Sequence, residues 1–158
     1  MRHSLPCSPA RTPDRRLDAE HSFPSSASCV YITLELYVLG VWEIEFTDEF
    51  EAWWDGLEEG DQEKVRVAVD ILEEDGPALG RPLVDTLEGS RHANMKELRP
   101  MGSNIRVMFA FDPRRTAILL IGGDKTGRWR EWYEKMIPMA DQLYADHLEE
   151  LRAEGELP

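Results

Sequence analysis

Four side chains in the second half of the chain suit the handling of a phosphate: His92, Arg99, Arg106 and Lys125. Arginine grips phosphate oxygens with paired N–H donors, and lysine adds a point charge. Their spacing is that of neighbouring strands. In "KELR" (96–99) Leu98 meets a core, so Glu97 and Arg99 point away from it. In "IRVMFAF" (105–111) Ile105, Val107, Phe109 and Phe111 form one face, leaving Arg106 on the other with Met108 and Ala110. The period of two therefore puts Arg99 and Arg106 on one open face. His92 precedes the first of these strands and Lys125 closes the third, so the four are expected to converge.

The stretch "IGGDKTGRWREWY" (121–133) adds to this face. Gly122 and Gly123 let a backbone approach a ligand closely. Lys96, Arg128 and Arg130 supply further cations. Trp129, Trp132 and Tyr133 offer rings on which bases stack, at roughly 1–3 kcal/mol each. Trp132 fits a helix core position better, and Trp129 fits either role. Glu97 reads as the partner of an arginine, and an arginine of the "DPRR" turn such as Arg114 is expected to matter less than Arg106.

The elements that position these residues can be read from hydrophobic period and turn chemistry. "VWEIEFT" alternates as a half-buried strand, with Trp42, Ile44 and Phe46 inward and Glu43 and Glu45 outward. Asp48 begins a helix, with Glu51 three residues on as in a capping box. "EEGD" is a turn, and Asp61 begins a second helix with Val65, Ala68, Val69 and Leu72 on its apolar face. Gly76-Pro77 ends it. Residues 77–94 read as a loop. Three strands follow, the last two a hairpin, and a helix runs from Trp129 with Trp132, Met136, Met139, Leu143 and Leu151 near one face and a kink at Pro138. The expected fold is α+β: an N-terminal strand, a helical hairpin, a three-stranded antiparallel meander and a C-terminal helix.

At 158 residues the chain fits one domain. Residues 1–29, rich in Pro, Ser and Arg, read as disordered, and residues 1–40 are expected to be a disordered or mis-annotated extension, with the domain at 41–158 and Val41 as the candidate biological start. Two cysteines give neither a disulfide framework nor zinc spacing. That cysteine usage makes a reducing cytoplasm the expected location, and with no apolar run long enough to span a bilayer no membrane partner is expected. The net charge of −13 argues against nucleic acid until its distribution is seen. Residues 42–80 hold two Lys/Arg against fourteen Asp/Glu, whereas residues 81–135 hold eleven against seven. The cations are concentrated where the candidate site lies.

The order strand–helix–helix–strand–strand–strand–helix, with "ELR" at 97–99, Arg106-Val107 with Phe109, and Lys125-Thr126 closing the last strand, resembles the RelE/ParE toxin superfamily, in its HigB-like, phage Gp49-like branch. The resemblance covers roughly residues 41–150. It implies a type II toxin that cleaves mRNA, on the ribosome, without a metal or other cofactor. It also implies a helix-turn-helix antitoxin as partner. Under it, Arg99, Arg106 and Lys125 stabilise the phosphate, and His92, whose ordinary pKa is near neutrality, is the acid/base candidate ahead of Asp124. Asp124 stands where many relatives have a second lysine. The alternative implied is a ParE-like DNA gyrase poison without nuclease activity. A metal nuclease built on Asp85 and Glu97 lacks a third ligand.

Overall fold

The structure, a computed structural model, describes residues 2–4 and 41–158. Strand β1 (Arg2–Ser4) pairs antiparallel with β2 (Glu43–Thr47). Helices α1 (Asp48–Asp55) and α2 (Glu59–Asp75) follow, then β3 (Val84–Thr86), β4 (Met95–Leu98), β5 (Ile105–Phe111), β6 (Thr116–Asp124) and α3 (Trp129–Ala153). The sheet order is β1-β2-β6-β5-β4-β3. All neighbours are antiparallel except β2 and β6, which run parallel. The expected α+β order is observed. Two differences are the short edge strand β3, inside the stretch read as a loop, and the central position of β6 beside β2. Apart from β1, the expectation for residues 1–40 falls outside the described residues.

Local chemistry accounts for the element ends. Thr47, one residue before the expected start, caps α1: its hydroxyl accepts from the Phe50 amide at 3.2 Å. Helix α2 starts two residues earlier than expected, and Gly76 closes it at φ 55°, its amide bonded to the Leu72 carbonyl. The Trp42 indole lies where a Gly76 side chain would be, 2.1 Å from an ideal Cβ. Gly76→Ala is therefore expected to cost about 1–3 kcal/mol through left-handed strain and overpacking. Urea unfolding would measure this, and an unchanged midpoint would refute it.

The sheet is covered on both faces. Val65, Ala68, Val69 and Leu72 of α2 and Phe50 and Trp54 of α1 pack on Ile44, Phe46, Val107, Phe109 and Leu119. Met136, Ala140 and Tyr144 of α3 pack on Met95, Met108, Ala110, Ile118 and Leu120. The face of Arg106 is thus not open along its length, as the strand pattern suggested; α3 lies across it. Glu45, expected outward, is buried for the same reason. In α3, Met136 and Leu151 are buried as expected, but Met139 is 39% exposed and Ala140, Tyr144 and His147 hold the inward positions. Pro138 sits within an unbroken helix. Among the described residues, no helix is long and apolar enough to cross a membrane.

Candidate functional site

The site lies where β4, β5 and β6 emerge beside the first turns of α3. A bulge prepares it. Opposite Met108 and Phe109, β6 advances from Ile121 to Leu119, leaving Leu120 as the extra residue. Leu120 and Ile121 consequently share the α3 side. Beyond the bulge, Gly122 turns to the helical hairpin and Gly123 to α3, directly opposite Arg106. The room left by these glycines is filled by the chain itself. A Cβ at Gly122 would fall 2.3 Å from the Trp53 ring, and one at Gly123 would fall 2.6 Å from Trp132 Nε1. Neither glycine brings bare backbone to a ligand, contrary to the expectation.

Glu97 stands at the centre, 2% exposed. Its Oε1 accepts from Arg99 Nε at 2.7 Å and Arg99 Nη2 at 2.6 Å. Its Oε2 accepts from the Tyr133 hydroxyl at 2.6 Å. Arg99 Nη2 also reaches Asp85 Oδ2 at 2.8 Å, and Arg81 reaches the same oxygen at 2.9 Å. Arg99 is therefore occupied by two carboxylates, both of which the metal alternative would have required as ligands. Arg106 is less committed. Its Nη1 donates to the Ile105 carbonyl at 2.7 Å, while its buried Nε has no hydrogen-bond partner and stands 3.9 Å from Glu97.

Lys125 joins this cluster electrostatically. Partial burial and then the Arg106 guanidinium, with Arg99 adding to it, push the Lys125 ammonium below the usual lysine value; the Glu97 charge opposes them. Tyr133 moves the other way. Burial first, then its hydrogen bond to Glu97 and that residue's charge, push its phenol up to about 12. At the rim, Lys125 N bonds to the Asn104 carbonyl, and Asn104 Nδ2 bonds to Thr126 Oγ1 at 3.0 Å. Asp124 is turned into this loop, accepting from the Thr126 amide at 2.7 Å.

The structure brings together Arg99, Arg106 and Lys125, and leaves His92 apart. The His92 ring bonds to the Asp141 carbonyl at 3.2 Å and packs edge-on against Tyr144 at 5.0 Å. Asp141 lies eight residues beyond Tyr133 on α3, on the order of 12 Å along its axis. Asp141 explains the displacement. It accepts from Ser90 Oγ at 2.5 Å and from the Arg91 amide at 3.1 Å, pinning the loop before β4 to mid-helix. Lys96 lies on the opposite face of β4 from Glu97 and Arg99. Arg128 is exposed and ion-pairs with Glu131 at 3.6 Å. Trp129 is 59% exposed, with the Arg130 guanidinium 5.9 Å from its ring. Trp132 is partly buried against the α3-side core and Tyr133 is committed to Glu97, so of the three rings Trp129 alone stands fully out. The Glu97–Tyr133 contact was missed at the sequence level. Only the Glu97-x-Arg99 spacing hinted at half of it.

The chain matches the phage-derived Gp49-like family over residues 52–145. The chain belongs to that family. It is HigB-like within it: it is 53% identical over 94 residues to a protein named putative toxin HigB3 of Mycobacterium tuberculosis, covering 60% of this chain and 82% of HigB3. It is also 48% identical over 123 residues to putative toxin HigB2 of the same organism, covering 76% of this chain but 61% of HigB2. Among solved structures it aligns with the archaeal RelE–RelB complex of Pyrococcus horikoshii at 18% identity and a TM-score of 0.46, over 56% of this chain and 98% of that one.

Proposed function

We propose that this HigB-like chain is the toxin of a type II toxin–antitoxin module and acts as a metal-independent endoribonuclease on mRNA, at the ribosome, in the cytoplasm. The observation that carries this reading is Arg106, a cation in an otherwise apolar strand that reaches the end of the sheet beside Lys125. Two cations at one end of a rigid sheet suit the charge that builds on a phosphorane. In the reaction, the ribose 2′-oxygen attacks the adjacent phosphorus after giving up its proton. The bond to the 5′-oxygen breaks, and that oxygen takes up a proton as it leaves. Lys125 is the acid proposed here in place of His92: its ammonium gives a proton to the leaving 5′-oxygen, while the 2′-hydroxyl proton passes to water. Trp129 supplies an exposed ring for a base. The names of the two relatives support the toxin assignment, and a helix-turn-helix antitoxin is the partner proposed with it.

The products are expected to carry 2′,3′-cyclic phosphate and 5′-hydroxyl ends, with cleavage unchanged by EDTA. Asp85 and Glu97, the two carboxylates a metal would need, are both engaged by Arg99 and so are poorly placed to hold one. End-group analysis of mRNA from a translating extract tests this. Inactivation by chelation that magnesium reverses would sink it. Intact mRNA together with broken DNA in arrested cells would select the gyrase-poison alternative instead.

A further inference from the structure

Glu97 has a role that its burial makes specific. At 2% exposure its carboxylate does not meet solvent, so it cannot touch a bound nucleic acid; it acts on the groups around it. A buried carboxylate is costly unless its oxygens are well bonded. Here Oε1 takes both Arg99 donors and Oε2 takes Tyr133, which comes from a different element. One carboxylate thereby ties β4 to the first turns of α3. Arg106 is treated differently: Glu97 attracts it across 3.9 Å with no hydrogen bond between them, and it also interacts with the Tyr133 hydroxyl. We propose that Glu97 is the positioning residue of this site: it anchors Arg99 and Tyr133 by hydrogen bonds and holds Arg106 by charge alone, so that Arg106 and Lys125 are the cations left to meet a phosphate. The proposal rests on the phosphate-handling reading given above and adds the group that organises it.

Glu97→Gln keeps the shape of the side chain and removes its charge. A group that merely held the fold together would lose stability, binding and cleavage in step. A positioning carboxylate predicts a split. Binding of a 2′-O-methyl oligoribonucleotide, which cannot be cleaved, is expected to stay equal or tighten, because a negative charge has gone. Cleavage of mRNA in a reconstituted translation mix is expected to slow by about 10- to 100-fold, the scale of a misplaced reacting group. The Tyr133 phenol, held at about 12 in part by Glu97, is expected to titrate closer to 10.0. That titration is readable by NMR of Cζ-labelled tyrosine, assigned with Tyr133→Phe. Cleavage at the wild-type rate, or an unmoved Tyr133 titration, would overturn the proposal. Should Glu97→Gln fail to fold, Tyr133→Phe leaves the carboxylate in place and removes one anchor. It is expected to slow cleavage with oligonucleotide affinity retained, and an unchanged rate counts against the proposal. If the wild-type chain binds the oligonucleotide yet never cleaves mRNA, the ribonuclease reading fails. Oligonucleotide binding and the Tyr133 titration then decide the role of Glu97 by themselves.

Discussion

Arg106→Ala is expected to fold and to lose roughly 10²–10³ of the cleavage rate, the usual loss when one preorganised transition-state donor is removed. Its side chain is 12% exposed and lies at the end of the sheet. It makes a hydrogen bond to its neighbour's carbonyl and interacts with the Tyr133 hydroxyl. Deleting it removes an attraction to Glu97, which keeps its bonds to Arg99 and Tyr133. The rate should therefore fall far more than the loss of stability accounts for, which the melting temperature measured alongside would show. Arg152→Ala, exposed near the end of α3, is the matched control and is expected to cleave normally. Arg99→Ala is a poor comparison, since it would release Asp85 and Glu97 together and mix stability with chemistry. If Arg106→Ala folds and cleaves like the wild type, the sheet end is not the active face.

That Arg106 could be singled out at all reflects how a strand encodes its faces. Alternation in "IRVMFAF" places Arg106 opposite the apolar set whatever the rest of the fold does, and Ile105, Val107 and Phe109 do meet the helical hairpin. Helix α2 was readable for the same reason, its four inward residues all buried as spaced. What alternation does not encode is what lies on the second face. Met108 and Ala110 read as part of an open face with Arg106, yet α3 covers them. With that helix come Tyr133 onto Glu97 and Asp141 onto Ser90. The first completes the site and the second draws His92 away from it. Both are contacts across at least 36 residues, set by helix docking rather than by local pattern. The glycines misled in a similar way. Gly122 and Gly123 do permit close approach, but the approaching groups are Trp53 and Trp132.

The turn arginine presents the largest stability effect. Arg114→Ala is expected to destabilise the fold by roughly 3–5 kcal/mol, the scale of breaking a buried ion pair from one side. At the sequence level Arg114 was an indifferent residue of "DPRR"; in the fold it is a hub. Its Nε donates to Asp112 Oδ2 at 2.9 Å, its Nη2 reaches Glu45 at 2.9 Å, and its Nη1 reaches Glu156 at 2.8 Å. Asp112 and Glu45 are 4% exposed each, so without the guanidinium two carboxylates remain buried with their main cation gone. The pH dependence identifies the cause. Burial pushes the Asp112 carboxyl up, but hydrogen bonds from His147 and Arg114 more than offset it, and the group sits below the usual aspartate value. A carboxyl depressed in the folded state gives stability that is complete above its unfolded pKa and is lost as pH falls through the folded one. In the wild type that loss begins only below about pH 4, near the ordinary aspartate value. Removing Arg114 raises the folded pKa of Asp112, so the Asp112 contribution shrinks and the variant should unfold at a higher pH on acidification. Urea titrations at several pH values would measure both effects together. A variant as stable as the wild type at neutral pH, with the same acid midpoint, would mean that the network around Asp112 does not hold β5 and β6 to α3 in the way its geometry implies.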